Sequence, residues 1–251
     1  MNLLSNIYVV TIKRNSERQH KISSLLNQYN LLFSFIEGVD GEQLDSEKLK
    51  QVFDRHKSNQ RLGYDLTKNE IACSLSHIKA LKIFIEDDKQ DYVLILEDDI
   101  VILNLDTYYD ALENLPDKMN WDVLYFGYQN KNNKMPFSVF IKWKFIYPVL
   151  IFFKIKSYDL KKIRLIFDSS YNKHWMRLGS HNGAYAYIVN KKAARKIIDY
   201  NTPLFVQADV VLMDLILRGE INAFGLKKTV FEPNFEIESS IGNRTSWEEK
   251  N

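Results

Sequence analysis

The stretch that most restricts the fold is LTKNEIACSLSHIKALKIFIEDD, residues 66–88, followed closely by YVLILEDDIVI. Thr67 and Glu70 predict a capping box, in which each side chain satisfies a backbone N–H that the first helical turn leaves free. Ile71, Leu75, Ile78, Leu81 and Ile85 then recur at helical spacing and define one apolar face. After this helix, Tyr92 to Leu96 is a short apolar run of the kind that fills a strand buried on both faces. A long helix feeding a buried strand is half of a βαβ unit. Repeated along a chain, it builds an α/β sheet with parallel pairing.

The repetition is present. Ile7 to Ile12 predicts a first strand, and Ser16 caps a helix over about Glu17 to Tyr29. Phe33 to Gly41 reads as a second strand ending in a Gly-bounded turn. A short helix over Ser46 to Phe53 is expected, then a loop through RHKSNQRLGY. Trp121 to Tyr128 and Ala184 to Val189 predict further strands, with helices over Lys191 to Tyr200 and Gln207 to Arg218, the last closed by Gly219. The tail, FEPNFEIESSIGNRTSWEEKN, has turn signals and no periodicity.

Composition narrows the class. The 251 residues are 45% apolar, enough for one large α/β domain with a full core. Lys plus Arg number 34 and Asp plus Glu 32, so the net charge of +2 argues against a nucleic-acid binder. The only cysteine is Cys73, which excludes an intrachain disulfide and suits a reducing, cytoplasmic setting. The N-terminus lacks the basic and apolar regions of a signal peptide, and no window reaches the roughly 20 apolar residues of a membrane span.

Glu97, Asp98 and Asp99 pose the chemical question, because three carboxylates end an apolar strand. In α/β sheets, ligands bind beyond the carboxyl ends of strands, so these acids are expected to face a cleft. If the segment stays extended, Glu97 and Asp99 point one way and Asp98 the other. Carboxylates at i, i+2 can hold one hard cation, Mn²⁺ or Mg²⁺, whose remaining positions go to water and substrate phosphate. A solvated acidic turn is the alternative.

LTKNEIACSLSHIKAL, YVLILEDDIVI, DVLYFGY and NGAYAYIVNKKAARKI follow one another in the order that resembles glycosyltransferase family 25, and IYVVTIKRNSER is similar to the family's opening strand and basic turn. The resemblance spans about residues 6–244 and is weakest at 42–65 and 131–175. It implies a GT-A-like, Rossmann-type mixed sheet flanked by helices, forming a single domain. Within it, a donor-binding half covers about 1–130, an insertion 131–175 and an acceptor half 176–251. It also implies an inverting transfer of a hexose, galactose first, from a UDP-sugar to a saccharide acceptor such as bacterial lipopolysaccharide or lipooligosaccharide. On this reading EDD is a DxD-type motif. Asp99 meets the metal, Glu97 supports it and also approaches the donor, and Asp98 lies near ribose or sugar. Where the family's first strand carries Asn-Leu, this chain has Thr11-Ile12.

Further candidates follow, each with a plainer alternative. Thr11 and Arg14 follow or end the first strand and are donor contacts; Arg18 is a weaker candidate, and a solvated basic turn is the alternative for both arginines. Glu70, Ser74 and His77 share a helical stripe and match the family's pattern, although His77 suits a core position equally. His181 is a third metal ligand or a turn residue. Asp209 opens a helix that ends in Arg218-Gly219 and is the expected catalytic base; ordinary helix capping would also place it there. Asp214 is less favoured. Arg244, with Glu236 and Glu238 nearby, could meet the diphosphate. A phosphoryl-transfer enzyme and a non-catalytic saccharide-binding module are the alternative functions.

Residues 137–165 mix Phe137, Phe140, Trp143, Phe145, Tyr147, Phe152 and Phe153 with Lys142, Lys144, Lys154, Lys156, Lys161, Lys162 and Arg164. Such a mixture suits a peripheral contact with anionic membrane, which would bring a lipid-linked acceptor to the cleft on the inner face of a bacterial membrane. A packed insertion or a dimer interface is the alternative.

Overall fold

The computed structural model describes residues 6–115, 119–130, 137–153 and 165–234. Its centre is an eight-stranded mixed sheet in the order β2-β1-β3-β8-β5-β9-β7-β6. The strands are β1 (Ile7–Thr11), β2 (Ser34–Glu37), β3 (Tyr92–Glu97), β5 (Val123–Asn130), β6 (Ser169–Ser170), β7 (Trp175–Arg177), β8 (His181–Asn190) and β9 (Ala223–Leu226). The expected parallel pairing holds for β1 with β2 and β3, and for β5 with β9. By contrast, β8 lies antiparallel between β3 and β5. A separate ribbon pairs β4 (Ile100–Ile102) with β10 (Phe231–Pro233).

Side chains alternate across the sheet and feed two cores. On one face Val93, Ile95, Val123, Tyr125, Tyr187 and Val189 pack with α4 (Lys68–Glu86), α8 (Lys191–Tyr200) and α9 (Ala208–Leu217). On the other, Leu94, Leu96, Leu124, Phe126 and Ile188 meet α1 (Ser16–Gln28), α5 (Leu105–Glu113) and Trp175. This two-sided burial is why β3 reads as a continuous apolar run and does not alternate. The mixed sheet with helices on both faces is the expected α/β architecture.

The Thr67–Glu70 capping box forms as expected. Ser16 does not cap α1; Asn15 takes that position and makes no side-chain cap bond. The largest departure follows α2 (Ser46–Val52), where α3 (Arg55–Leu62) replaces the anticipated loop. Asp54 caps it by accepting from Lys57 N–H at 2.9 Å, and Gly63 ends it at φ +80°, a left-handed value that glycine adopts without cost. The polar surface of α3 hid its helical period.

Residues 137–153 contain α6 (Phe137–Ile141), a wide π segment (Lys142–Ile146) and α7 (Tyr147–Phe152). Pro148 accounts for the wide turn. It has no N–H to donate, and its ring would clash with a carbonyl held at α-helical spacing. The preceding amide, Tyr147 N–H, bonds Lys142 O, five residues back. Phe140 packs edge-on against Phe167 at 5.5 Å, whereas Phe145, Val149 and Phe152 form an exposed stripe.

Candidate active site

The connection β1–α1–β2 runs one way from β1 and β3 lies on the other side, so the carboxyl ends of β1 and β3 open a crevice between diverging connections. Thr11 and Glu97 stand at those ends. The crevice is roofed by the first half of α4 and by a 3-10 turn at Gly41–Gln43, with Arg14, Arg18, Asp40, Cys73 and His77 in its walls. A larger cavity of about 580 Å³ adjoins it, lined by Gln129, Asn182, Tyr185, Gln207 and Asp209 among others. Cys73 and Glu97 line both.

The strand ends at Glu97, and Asp98 and Asp99 form a turn, so the strict alternation expected of the triplet does not hold. Asp98 is buried. It accepts from the Thr11 hydroxyl at 2.5 Å and from Arg18 at 3.0 Å. These bonds fix the turn, and Thr11 and Asp98 both line the crevice. The same nitrogen of Arg18 donates to Asp99 at 3.1 Å. Arg18, the weaker of the two arginines in the sequence, is therefore the one that meets the acids. Arg14 stays at the rim and pairs with Asp40 and Glu42.

Asp99 is held up at about 6, chiefly by burial and then by the charge of Glu97, with Arg18 opposing. Two carboxylates next to one another, only part-compensated by one guanidinium, form an oxygen-rich, electron-rich site. The chemistry of that donor set fits a hard divalent cation, which Glu97 and Asp99 could hold through carboxylate oxygens.

Glu70, Ser74 and His77 are all buried on one stripe of α4, as their spacing predicts. Glu70 works as a clamp. One carboxylate oxygen accepts from Thr67 N–H at 2.8 Å, and the other accepts from Gln207 at 3.1 Å. The latter bond joins α4 to the head of α9, and Glu70 and Gln207 both line the larger cavity. Ser74 lines the larger cavity, and its hydroxyl has no hydrogen-bond partner among the described residues. His77 sets its Nδ1 3.1 Å from the Tyr187 hydroxyl and turns Nε2 toward Glu97 at 3.5 Å.

Asp209 is in the first turn of α9, where the helix dipole favours its anion, and it accepts from Gly183 N–H at 3.1 Å. It faces the larger cavity across from Glu97. Asp214 points elsewhere and is tied to Arg61 and the Tyr200 hydroxyl. His181 is buried between Tyr125 and Tyr128, with Nδ1 3.1 Å from Gly179 O. It opens β8 and does not line either of the two cavities, whereas its neighbours Asn182 and Gly183 line the larger one. Arg244, Glu236 and Glu238 lie outside the described residues.

Sequence reasoning passed over Cys73, Tyr187, Gln129, Asn182 and Gln207. Cys73 and His77 are spaced i, i+4 on α4, but sequence reasoning uses Cys73 only as a sign of a reducing setting and weighs His77 as a donor-site or core residue. The others arrive through β5, β8 and α9, whose pairing no local pattern records.

Comparison with known proteins identifies the family. The profile of "Glycosyltransferase family 25 (LPS biosynthesis protein)" matches residues 4–212. The chain belongs to glycosyltransferase family 25. It is 29% identical over 132 residues to a "Glycosyltransferase 25 family member" of Aedes aegypti, covering 49% of this chain and 21% of that protein. It is 27% identical over 138 residues to "Procollagen galactosyltransferase 2" of Homo sapiens, covering 52% and 22%. An "Inactive glycosyltransferase 25 family member 3" of Mus musculus is 28% identical over 134 residues, covering 50% and 22%. The chain thus aligns with only about a fifth of the length of these relatives. Among solved structures, the galactosyltransferase LgtC in complex with donor and acceptor sugar analogs aligns over 86% of this chain and 70% of its own. The TM-score is 0.37 at 14% identity, too distant to carry an argument.

Proposed function

We propose that this chain transfers a hexose, with galactose the first candidate, from a UDP-sugar to a saccharide acceptor, with inversion at the anomeric carbon. One observation carries the reading: Glu97 stands where two cavities meet, with Asp99 and two arginines on one side and Asp209 on the other. The first cavity suits a diphosphate beside cationic groups, and the second suits a sugar and an incoming hydroxyl. Asp209 takes the proton of the acceptor hydroxyl, and that oxygen forms its bond to the anomeric carbon. The bond from that carbon to the diphosphate oxygen breaks on the opposite face, and UDP leaves. A positioned base of this kind contributes roughly 10²–10⁴-fold. Mn²⁺ or Mg²⁺ held by Glu97 and Asp99 would offset charge on the departing diphosphate. Arg18 keeps the Asp98–Asp99 turn in place, and Arg14 stands at the mouth for phosphate oxygens.

The test is direct. Purified protein is mixed with a panel of nucleotide sugars, with and without Mn²⁺, and thermal shift and UDP release are followed. UDP-galactose should raise the unfolding temperature only with metal, and UDP should appear slowly without acceptor. Absence of both responses would favour a non-catalytic member of the family, a possibility that the mouse relative's name keeps in view.

The acceptor is proposed to be lipid-linked saccharide, approached at an anionic membrane. The exposed stripe Phe145, Val149 and Phe152 supports this, flanked by Lys142 and Lys144, with Lys154, Lys156, Lys161, Lys162 and Arg164 next in sequence. Rings suit the headgroup boundary and cations suit anionic lipid, each cation being worth about 1 kcal/mol. Among the described residues, no helix is long and apolar enough to cross a membrane.

A further inference from the structure

We infer that Cys73, His77 and Glu97 form a binding site for a borderline-soft divalent cation of the Zn²⁺ type, separate in chemistry from the hard-cation pair of Glu97 and Asp99. One sulfur, one imidazole nitrogen and one carboxylate oxygen lie within 4.8 Å of one another. His77 Nε2 and Glu97 Oε1 are 3.5 Å apart. Bonds of about 2.0–2.3 Å in a tetrahedron place neighbouring donors roughly 3.3–3.8 Å apart, so that edge is already formed and the sulfur needs only a small approach.

The histidine supplies an independent reason to expect a ligand. His77 is 3% exposed, and its Nε2 has no hydrogen-bond partner among the described residues. An orphaned nitrogen in a core is costly, and this one is aimed at the carboxylate and the thiol. Its other nitrogen is held by the Tyr187 hydroxyl on β8. That second bond fixes ring orientation and, with the proton on Nδ1, leaves the Nε2 lone pair facing the site. Ligating histidines are generally held in this way.

Cys73 and His77 are one turn apart on α4, so the helix sets two ligands, and the end of β3 brings the third. A thiolate, an imidazole and a carboxylate select zinc over magnesium or calcium. Three protein ligands leave a fourth position, which opens on the cavity that holds all three residues. On binding, the metal–sulfur bond forms as the thiol proton leaves to solvent, one proton per ion. Zn²⁺ and a donor-site cation would compete for Glu97, which makes zinc an inhibitor under the transferase reading. The site itself stands without that reading.

Cobalt substitution tests it, without nucleotide. Cys73 is the sole cysteine, so a sulfur-to-cobalt charge-transfer band on adding Co²⁺ to metal-free protein reports this thiol alone. The band should appear, vanish on adding Zn²⁺, and accompany release of one proton per ion. Cys73→Ser should abolish it, and His77→Ala should weaken binding more than 100-fold. Should His77→Ala fail to fold, Tyr187→Phe serves, with roughly 10–100-fold weaker binding. Asp99→Asn should retain the band. Absence of the band in wild type, or unchanged affinity in both the His77 and Tyr187 variants, overturns the proposal. Loss of Mn²⁺-dependent UDP-galactose binding with the cobalt band intact would count against the transferase reading only.

Discussion

A single guanidinium nitrogen of Arg18 donates to Asp98 at 3.0 Å and to Asp99 at 3.1 Å, joining α1 to the turn after β3. One cation thus serves two of the three carboxylates, and Glu97 receives none of it. Burial first, and then the charge of Glu97, holds Asp99 up at about 6 against the pull of Arg18.

The first prediction concerns that carboxyl. Its pKa is raised from an ordinary 3.8 to about 6, so the fold disfavours its charged form. The penalty is absent below about pH 4, grows between about pH 4 and pH 6, and is complete above that. Asp99→Asn removes the charge and should stabilise the metal-free protein at neutral pH by up to about 3 kcal/mol. The gain should disappear near pH 4, and metal-dependent turnover should be lost. Denaturant melts of both proteins across this range check it; no gain at neutral pH refutes the proposed strain.

Asp209→Asn is expected to leave UDP affinity within a few-fold of wild type and to lower transfer roughly 10²–10⁴-fold. Calorimetry with UDP and a transfer assay separate the two effects. Loss of UDP binding would move Asp209 from the base role into the donor site.

Arg61→Met should destabilise the protein by about 2–3 kcal/mol. The partly exposed Arg61 covers the buried carboxylate of Asp214, which would keep only the Tyr200 hydroxyl at 3.0 Å. The double change Arg61→Met with Asp214→Leu should recover much of the loss, because no buried charge then remains. Urea melts of the three proteins decide it.

Wild-type protein should sediment with anionic vesicles at low salt and weaken as salt rises. Changing Lys142, Lys144, Lys154 and Lys156 to Glu should abolish the binding, and Phe145→Ser with Phe152→Ser should reduce it. Failure of wild type to sediment at low salt would leave the stripe as a protein contact surface.

Much of this was legible in the chain, for local reasons. The α4 cap, the β3 run and the α8 bounds are set by short-range spacing, and the observed elements match. Helix α3 was not legible, because its eight residues RHKSNQRL include only Leu62 as a large apolar residue and it holds its place through Asp54, Arg61 and the αL Gly63. At the site, the stripe of Glu70, Ser74 and His77 could be read from spacing, while its uses could not. The partners that assign them, Gln207 and Tyr187, are more than 100 residues away. The place of His181 is hidden for the same reason: it opens β8, and only the pairing of β8 with β3 and β5 shows where that end lies relative to the two cavities.

The position of β8 bears on how the chain is made. As synthesis proceeds, β1, β2 and β3 can pair as they emerge, yet the other edge of β3 must wait for residues 181–190. Until then LILE offers a row of unpaired amides and carbonyls on an apolar strand, the kind of edge that recruits other chains. Every wall of the donor crevice precedes residue 100, while the larger cavity also needs β8, the head of α9 and Pro233. Arrival of β8 therefore sets when that edge of β3 is covered, and competence waits longer still, for Gln207 and Asp209 at the head of α9.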